Sequence, residues 1–286
     1  MIAALNKHPG LRGGLLVLPA AIFLIVFFLA PFFIVVGYSF AERGTYGGVI
    51  WNLNLENYQR TFDPLYFDSV IRSTYIAGLT TIFCLLFGYP LAYFIATRSD
   101  RWRNALLLGL IIPFWTNFLI RTYALLTLLR TNTGLINVAL MNLGIIQNPL
   151  PLFGNDFAII LGLVYGWLPE MVLPCYAAIT RLDQSLLEAA QDLYAPGHEV
   201  FRKIIWPLTL PGVVAGSILV FIPALGAFIT PALLGGGKSL MIGNIINNQF
   251  LAAHDWPFGS ALSTIMIVIM LVVTLVYFRM IRGATQ

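Results

Sequence analysis

Charge is what this sequence has least of. Asp, Glu, Lys and Arg make up 10% of its 286 residues, against 59% hydrophobic, whereas a soluble domain carries about 25% charged residues. A surface so poor in charge cannot face water all round. Cysteine is nearly absent too: Cys84 and Cys175 each fall inside an apolar run, so they read as small buried hydrophobes and support neither a disulfide framework nor a metal site. The three histidines, His8, His198 and His254, are scattered, with no H-E-x-x-H pattern. No nucleophile–base pair stands out, so neither enzymatic chemistry nor a cofactor is expected. No repeat, low-complexity tract or Pro- or Ser-rich linker divides the chain, and one membrane domain over 1–286 is the expectation.

What is present are long apolar runs. A spanning helix needs roughly 20 mostly apolar residues, and six runs qualify, near 14–40, 68–97, 104–129, 156–180, 208–234 and 257–281. The first follows a short basic segment, but its apolar stretch is too long for a signal peptide, so a retained anchor helix is expected. The net charge of +4 does not point to nucleic acid, because the basic residues sit in clusters between the runs. Lys7, Arg12, Arg98, Arg101, Arg103, Arg181, Arg202, Lys203, Arg279 and Arg282 fall on one side; Arg43, Arg60, Arg130 and Lys238 fall on the other. Arg72 and Arg121 lie within runs. The positive-inside rule then puts both termini in the cytoplasm. The outer loops 41–67 and 130–155 hold Trp51, Tyr58, Leu135, Ile136 and Leu140, enough for short amphipathic helices at the membrane surface.

The inner loop 181–207, RLDQSLLEAAQDLYAPGHEVFRKIIWP, has helical character. Asp183 can cap a helix in which Leu182, Leu186, Leu187, Ala190 and Leu193 recur at helical spacing. Pro196 fits a first helical turn, and Val200, Phe201, Ile204 and Ile205 make a second apolar stripe. Two short amphipathic helices are expected, packed either on the protein's own spans or in a groove of a soluble partner.

This segment resembles the EAA loop of binding-protein-dependent ABC importer permeases, in which Glu-Ala-Ala is followed after three residues by Gly, then after nine by Ile-x-Leu-Pro. Glu188, Ala189, Ala190, Ile204 and Pro207 match. Tyr194 stands at the glycine and Trp206 at the leucine, with Gly197 as an alternative source of the turn. The stretches LFGYPLAY (86–93), PFWTNFLIRTY (113–123) and 234–260, with LMIGN and DWPFGS inside it, are similar to the first permease of spermidine/putrescine importers. The resemblance implies an all-α type I ABC importer permease, six transmembrane helices with a cytoplasmic two-helix coupling loop. It implies as partners a second permease subunit, cytoplasmic ATPase subunits and a periplasmic or extracellular substrate-binding protein in the lipid membrane setting. Leu186, Glu188, Ala189, Ala190, Asp192, Ile204 and Pro207 would then couple to the ATPase.

Gly235-Gly236-Gly237-Lys238-Ser239 ends like a phosphate-binding loop, but Ala232 occupies the place of the first required glycine, and the segment follows a span rather than a strand. A flexible outer turn is expected.

Ionisable groups within a span cost on the order of 2.5–3.5 kcal/mol and usually line a cavity. Glu170, in GWLPE, lies roughly 21 Å in from Asp156, and Arg121 about 11 Å in from the outer end of its run; a direct pair is one possibility and separate structural roles another. Pro169 and Pro174 free backbone carbonyls near Glu170. With Trp167 they suit a cationic amine through charge and cation–π attraction. Run five, FIPALGAFITP (221–231), is interrupted by two prolines and a glycine, as path-lining helices often are. The expected path residues are Trp115, Asn117, Arg121, Trp167, Glu170, Phe228 and Thr230. Phe228 matches an aromatic position of the spermidine/putrescine permease, which carries an aspartate where this chain has Ala232. Gly162–Gly166 and Gly212–Gly216 read as helix-packing pairs. A polyamine is the expected cargo, with opines, other amino compounds or another small organic cation behind it. An ion-coupled secondary transporter would show an inverted repeat and a coupling-ion site, and neither is visible. A membrane scaffold would leave Glu170 and Arg121 as structural pairs.

Overall fold

The computed structural model describes residues 9–45, 47–237 and 240–284, with side chains between 17 and 279. Lys7, His8, Lys238 and Ser239 of the sequence reading lie outside the described residues. Helix α1 (Pro9–Leu24) runs through a π-turn (Ile25–Leu29) into α2 (Ala30–Ser39). A hairpin of β1 (Glu42–Arg43) and β2 (Val49–Ile50) follows, then α3 (Glu56–Arg60) and the long α4 (Pro64–Ala96). Next come α5 (Asp100–Ile111), a 3-10 turn (Ile112–Trp115), α6 (Phe118–Leu129), α7 (Leu135–Asn142) and α8 (Asp156–Ile179). After these come α9 (Gln184–Asp192), α10 (Gly197–Val200), a π-turn (Phe201–Ile205), α11 (Trp206–Leu225), α12 (Ile229–Leu234), α13 (Ile242–Leu251) and α14 (Trp256–Ala284).

Five of these helical stretches are long and apolar enough to cross a membrane, and a bent pair brings the number to six. That pair corrects the expectation of one helix over 104–129: Asp100–Trp115 and Phe118–Leu129 meet at 92°. Pro113 tightens the end of the first helix into a 3-10 turn, Thr116 is extended, and Asn117 starts a new helix by accepting from the Leu119 N–H at 2.8 Å. A side-chain cap at Asn117 and a proline four residues earlier are start and stop signals together.

A second correction concerns 208–234. Its helix starts earlier, at Gly197, runs without a break through the π-turn to Leu225, and stops at Gly226; Ile229–Leu234 is a separate short helix. The expected second amphipathic helix of the loop is therefore the first two turns of a span. Pro196 precedes that helix as its cap rather than lying within its first turn.

By contact density the described residues divide into two compact units. In the first, residues up to Asp63 and 246–267, the hairpin and α3 occupy the 41–67 segment. A turn with Gly47 and Gly48 at φ +92° and +86° joins the strands. Buried Asn57 donates to the carbonyls of Ser39 (3.2 Å) and Ala41 (2.7 Å), and the Tyr58 hydroxyl meets Ser39 Oγ at 2.7 Å. Arg60 pairs with Asp255 at 3.1 Å and lies 4.0 Å over the Phe258 ring.

In the second, 64–245 and 268 onward, α4, α8 and α11 pack as a bundle around Cys84, Ala92, Met171, Val172, Cys175 and Val220. Small residues set the approach. A Cβ on Gly212 would fall 2.6 Å from the Pro174 carbonyl oxygen, and one on Gly216 3.1 Å from that of Met171. On Gly162 it would strike Leu234 and Thr230. Glycines at these crossings let backbones touch, which is the source of van der Waals attraction where no hydrophobic force drives helices together. Both thiols are buried in the bundle, as expected. The 130–155 segment folds on Asn137, which donates to the carbonyls of Thr131 and Leu150 and accepts from the Leu150 N–H. Gly236 and Gly237, at φ +60° and +75°, form a turn against Gly154 rather than a phosphate cradle at a helix start.

Candidate functional site

Most buried hydroxyls of this chain are satisfied locally. On α4, Ser69, Ser73 and Thr81 each donate to the carbonyl four residues back, at 2.7–2.8 Å. Such bonds let a hydroxyl sit in an apolar environment at little cost. Against that background five of the described residues stand apart, one of them Ser260 on α14 with its Oγ unpartnered. Thr80 Oγ1 on α4, Arg121 Nε and Nη1 on α6, and Trp167 Nε1 and Glu170 Oε2 on α8 are enclosed without a hydrogen-bond partner. Each such group costs on the order of 1–3 kcal/mol, more when charged, so Arg121, Trp167 and Glu170 are expensive to keep as they are.

The Arg121 guanidinium lies 4.4 Å from the Phe114 ring centroid and 5.7 Å from that of Phe118, and its charge acts on Glu170. Phe118 in turn stands 6.4 Å from the Trp167 ring. The 92° bend is what aims these residues. It turns the first helical turn of α6, with Phe118 and Arg121, toward α8, and a Cβ added at Gly166 would meet the Phe118 ring at 3.2 Å. Beside them is a cavity of about 200 Å³ lined by Trp167, Phe118, Pro223, Gly226, Phe228 and Thr230. It exists because α11 ends at Gly226 and the chain restarts at Ile229.

Of the path residues expected from the sequence, Arg121, Trp167 and Glu170 come together, and Trp167, Phe228 and Thr230 share the cavity. Two do not join them. Trp115 is 80% exposed at the bend, and the Asn117 side chain is committed to capping α6. Thr80 is not legible in the sequence, since a threonine within an apolar helix carries no distinguishing mark until its hydroxyl is found without an acceptor.

The 181–207 segment is built from caps. Asp183 accepts from the Ser185 N–H at 2.9 Å and starts α9, as its position had suggested. The Ser185 hydroxyl and N–H together hold the Asp183 carboxyl below the usual carboxylate range. The stripe of leucines splits: Leu182, Leu187 and Ala190 turn inward, whereas Leu186 and Leu193 are exposed. Glu188, Ala189 and Asp192 lie on the exposed face, Ile204 is half-buried in the π-turn, and Pro207 is exposed in the first turn of α11.

The helix ends at Tyr194 rather than turning at Gly197. The Tyr194 N–H donates to Gln191 O (2.8 Å) and the Ala195 N–H to Ala190 O (3.0 Å), the paired bonds of a Schellman cap. That cap requires a left-handed residue, and Tyr194 takes it at φ 54°, whereas Gly197 opens α10. Tyrosine thus adopts the backbone conformation that the motif's glycine would have supplied. The second departure is absorbed by packing. Trp206 meets Tyr89 edge-on at 5.2 Å, Phe201 joins them, and the Tyr89 hydroxyl bonds Thr209 Oγ1 at 2.8 Å.

Comparison with known proteins agrees with this architecture. The sequence model of the family described as "Binding-protein-dependent transport system inner membrane component" matches residues 88–284. The chain is 45% identical over 259 residues to the spermidine/putrescine transport system permease protein PotB of Escherichia coli, covering 91% of this chain and 94% of that one. It is 43% identical over 256 residues to the protein of the same name from Haemophilus influenzae, covering 90% and 89%. Among solved structures it is similar in fold to a chain of a bacterial ABC transporter involved in the import of the acidic polysaccharide alginate, with a TM-score of 0.75, 18% identity and 99% of both chains covered. The chain belongs to the family of inner-membrane permease components of binding-protein-dependent ABC importers.

Proposed function

We propose that this chain is one of two permease subunits of an ATP-driven importer for polyamines of the spermidine and putrescine class. The observation that carries the reading is 45% identity, over nine-tenths of both chains, to a permease named for spermidine and putrescine transport. The local chemistry suits the same cargo. A carboxylate with an unpartnered oxygen, one helical turn from Trp167, whose ring pairs with Phe118, attracts an ammonium group through charge, and the rings through cation–π contact.

On this reading the cargo passes Glu170 and Trp167, with Phe228 and Thr230 along the cavity that Trp167 lines, while the Asn117 cap holds the bend that aims Arg121. The excess of Lys and Arg beside one set of span ends puts both termini and the 181–207 segment in the cytoplasm. The sequence holds no complete phosphate-binding loop, so ATP hydrolysis falls to separate ATPase subunits. Leu186, Glu188, Ala189 and Asp192 present the exposed face to them, with Ala190, Ile204 and Pro207 supporting it. A substrate-binding protein delivers cargo on the opposite side, and the helices rock about the Glu170 site as ATP is bound and released. All of 1–286 acts as one permease domain in this cycle.

Ala232, where the spermidine/putrescine permease carries an aspartate, favours a second reading in which the cargo is a less highly charged amino compound such as an opine. One experiment separates them. The tagged chain is co-expressed with its ATPase, second permease and binding protein, purified in mild detergent and reconstituted. The proposal expects the ATPase to be retained and labelled putrescine uptake to be competed by spermidine. Failure to retain an ATPase, or competition by opines alone, contradicts it.

A further inference from the structure

Arg121 poses a question that a path lined for cations does not answer by itself. A positive charge is fixed beside the carboxylate that is to receive a positive cargo. The guanidinium makes no hydrogen bond through Nε or Nη1, and it rests on the faces of Phe114 (4.4 Å) and Phe118 (5.7 Å). The carboxylate oxygen Glu170 Oε2 is equally unpartnered. Two opposite charges enclosed near each other, each with open hydrogen-bonding capacity, are not a closed structural ion pair, because a buried pair repays its desolvation only when its hydrogen bonds are made. Aromatic faces provide the guanidinium with a second resting place, since arginine stacks on rings and is weakly hydrated. Arg121 therefore has one resting place on the rings and a second attraction in the Glu170 carboxylate, on which its charge acts.

We propose that Arg121 is a tethered competitor of the cargo, a built-in cation that trades places with the cargo ammonium at Glu170 and keeps that site weak enough to release what it binds. The inference rests on the cationic-cargo reading above. In a medium of low dielectric the attraction between a carboxylate and an ammonium is many times that in water, and cargo held that firmly would leave slowly. When cargo approaches, Arg121 lies on Phe114 and Phe118 and the carboxylate is open. When Arg121 swings onto Glu170, it displaces the ammonium. Phe118, which touches both the guanidinium and Trp167, connects the rings to the helix that carries Glu170.

The test is labelled putrescine uptake by the complete importer in proteoliposomes, read as KM and maximal rate separately. R121M removes the competitor and is expected to lower both KM and maximal rate, each about tenfold, while E170Q raises KM. If R121M leaves KM at the native value while E170Q raises it, the competitor role is overturned and the cationic-cargo reading stands. If neither variant moves KM, Glu170 is not the cargo's site and the competitor role falls with it; if the importer takes up no putrescine at all, the cationic-cargo reading itself fails. Should R121M not assemble with its partners, R121K carries the test. A lysine loses the planar stacking surface, spends more time on Glu170 and is expected to raise KM several-fold; a native KM in R121K overturns the proposal.

Discussion

Replacing Tyr194 with glycine should make the α9 end of the 181–207 segment more stable, although it removes a large side chain. Tyr194 sits at φ 54°, where a residue with a Cβ is strained by roughly 1–2 kcal/mol. Its side chain is 95% exposed, so truncation forfeits almost no buried area. Glycine removes the strain but costs roughly 0.5–1 kcal/mol in the unfolded chain's extra freedom. The net gain is about 0.5–1 kcal/mol, a factor of roughly two to five in a local opening equilibrium. Only the amides that the cap protects should respond: Leu193, Tyr194 and Ala195, which donate to Ala189, Gln191 and Ala190. Hydrogen exchange on the purified importer, native against Y194G, reads this directly. Slower exchange by two- to fivefold at α9, with α4 and α8 unchanged, is expected. Unchanged or faster exchange would refute the strain argument and show that the tyrosine ring stabilises the turn by contacts of its own. Y194V should move the opposite way, since a β-branched residue tolerates positive φ least.

Three further outcomes follow from the same geometry. The Asp183 carboxyl titrates below its ordinary range in the folded protein because Ser185 donates to the charged form. The cap is therefore fully present above the ordinary carboxylate value and fades as pH falls through the lowered one; the protection of α9 amides, measured against the intrinsic exchange rate at each pH, should be flat from pH 7 to 5 and fall below pH 4, and D183N should remove that acid step. Gly212→Leu should prevent assembly of the α8–α11 contact, since even a Cβ would lie 2.6 Å from Pro174 O and 2.4 Å from Ala178 Cβ; overpacking of this kind costs about 1–3 kcal/mol or more, seen as lost recovery in detergent. Asp255→Ala strands Arg60 and removes an acceptor for the Phe258 N–H. Breaking a buried pair costs about 3–5 kcal/mol, and with Arg60 40% exposed the low end is expected, measured as a lower unfolding temperature.

The readable parts of this chain were those governed by periodicity and by caps. Apolar runs marked the spans, because lipid demands them, and the packing glycines at 162, 166, 212 and 216 were legible as small residues at helical spacing. Asp183 was legible as a cap because its neighbours have helical spacing. The bend at Thr116–Asn117 was harder, although Pro113 and Asn117 both signal it, since the surrounding run is apolar throughout and length alone suggests one span. The 42–50 hairpin is hidden for a related reason: Gly44, Gly47 and Gly48 mark a turn, but strands of two residues carry no alternation. Tyr194 is hard to read as left-handed because tyrosine seldom is, and its place at the motif's glycine is the one signal for it; the cap hydrogen bonds override local preference. The site shows the same division. Glu170 and Arg121 were conspicuous as charges in apolar helices, whereas their proximity depends on a bend that side-chain spacing does not encode.

The most direct test of the central claim is uptake of labelled putrescine and spermidine by the reconstituted importer carrying Glu170→Gln. Glutamine keeps the shape and removes the charge, so the account predicts a KM raised about tenfold or more with the complex intact. An uptake rate and substrate dependence equal to those of the native importer would contradict it, and would leave Glu170 as a structural group in a permease that recognises its cargo elsewhere.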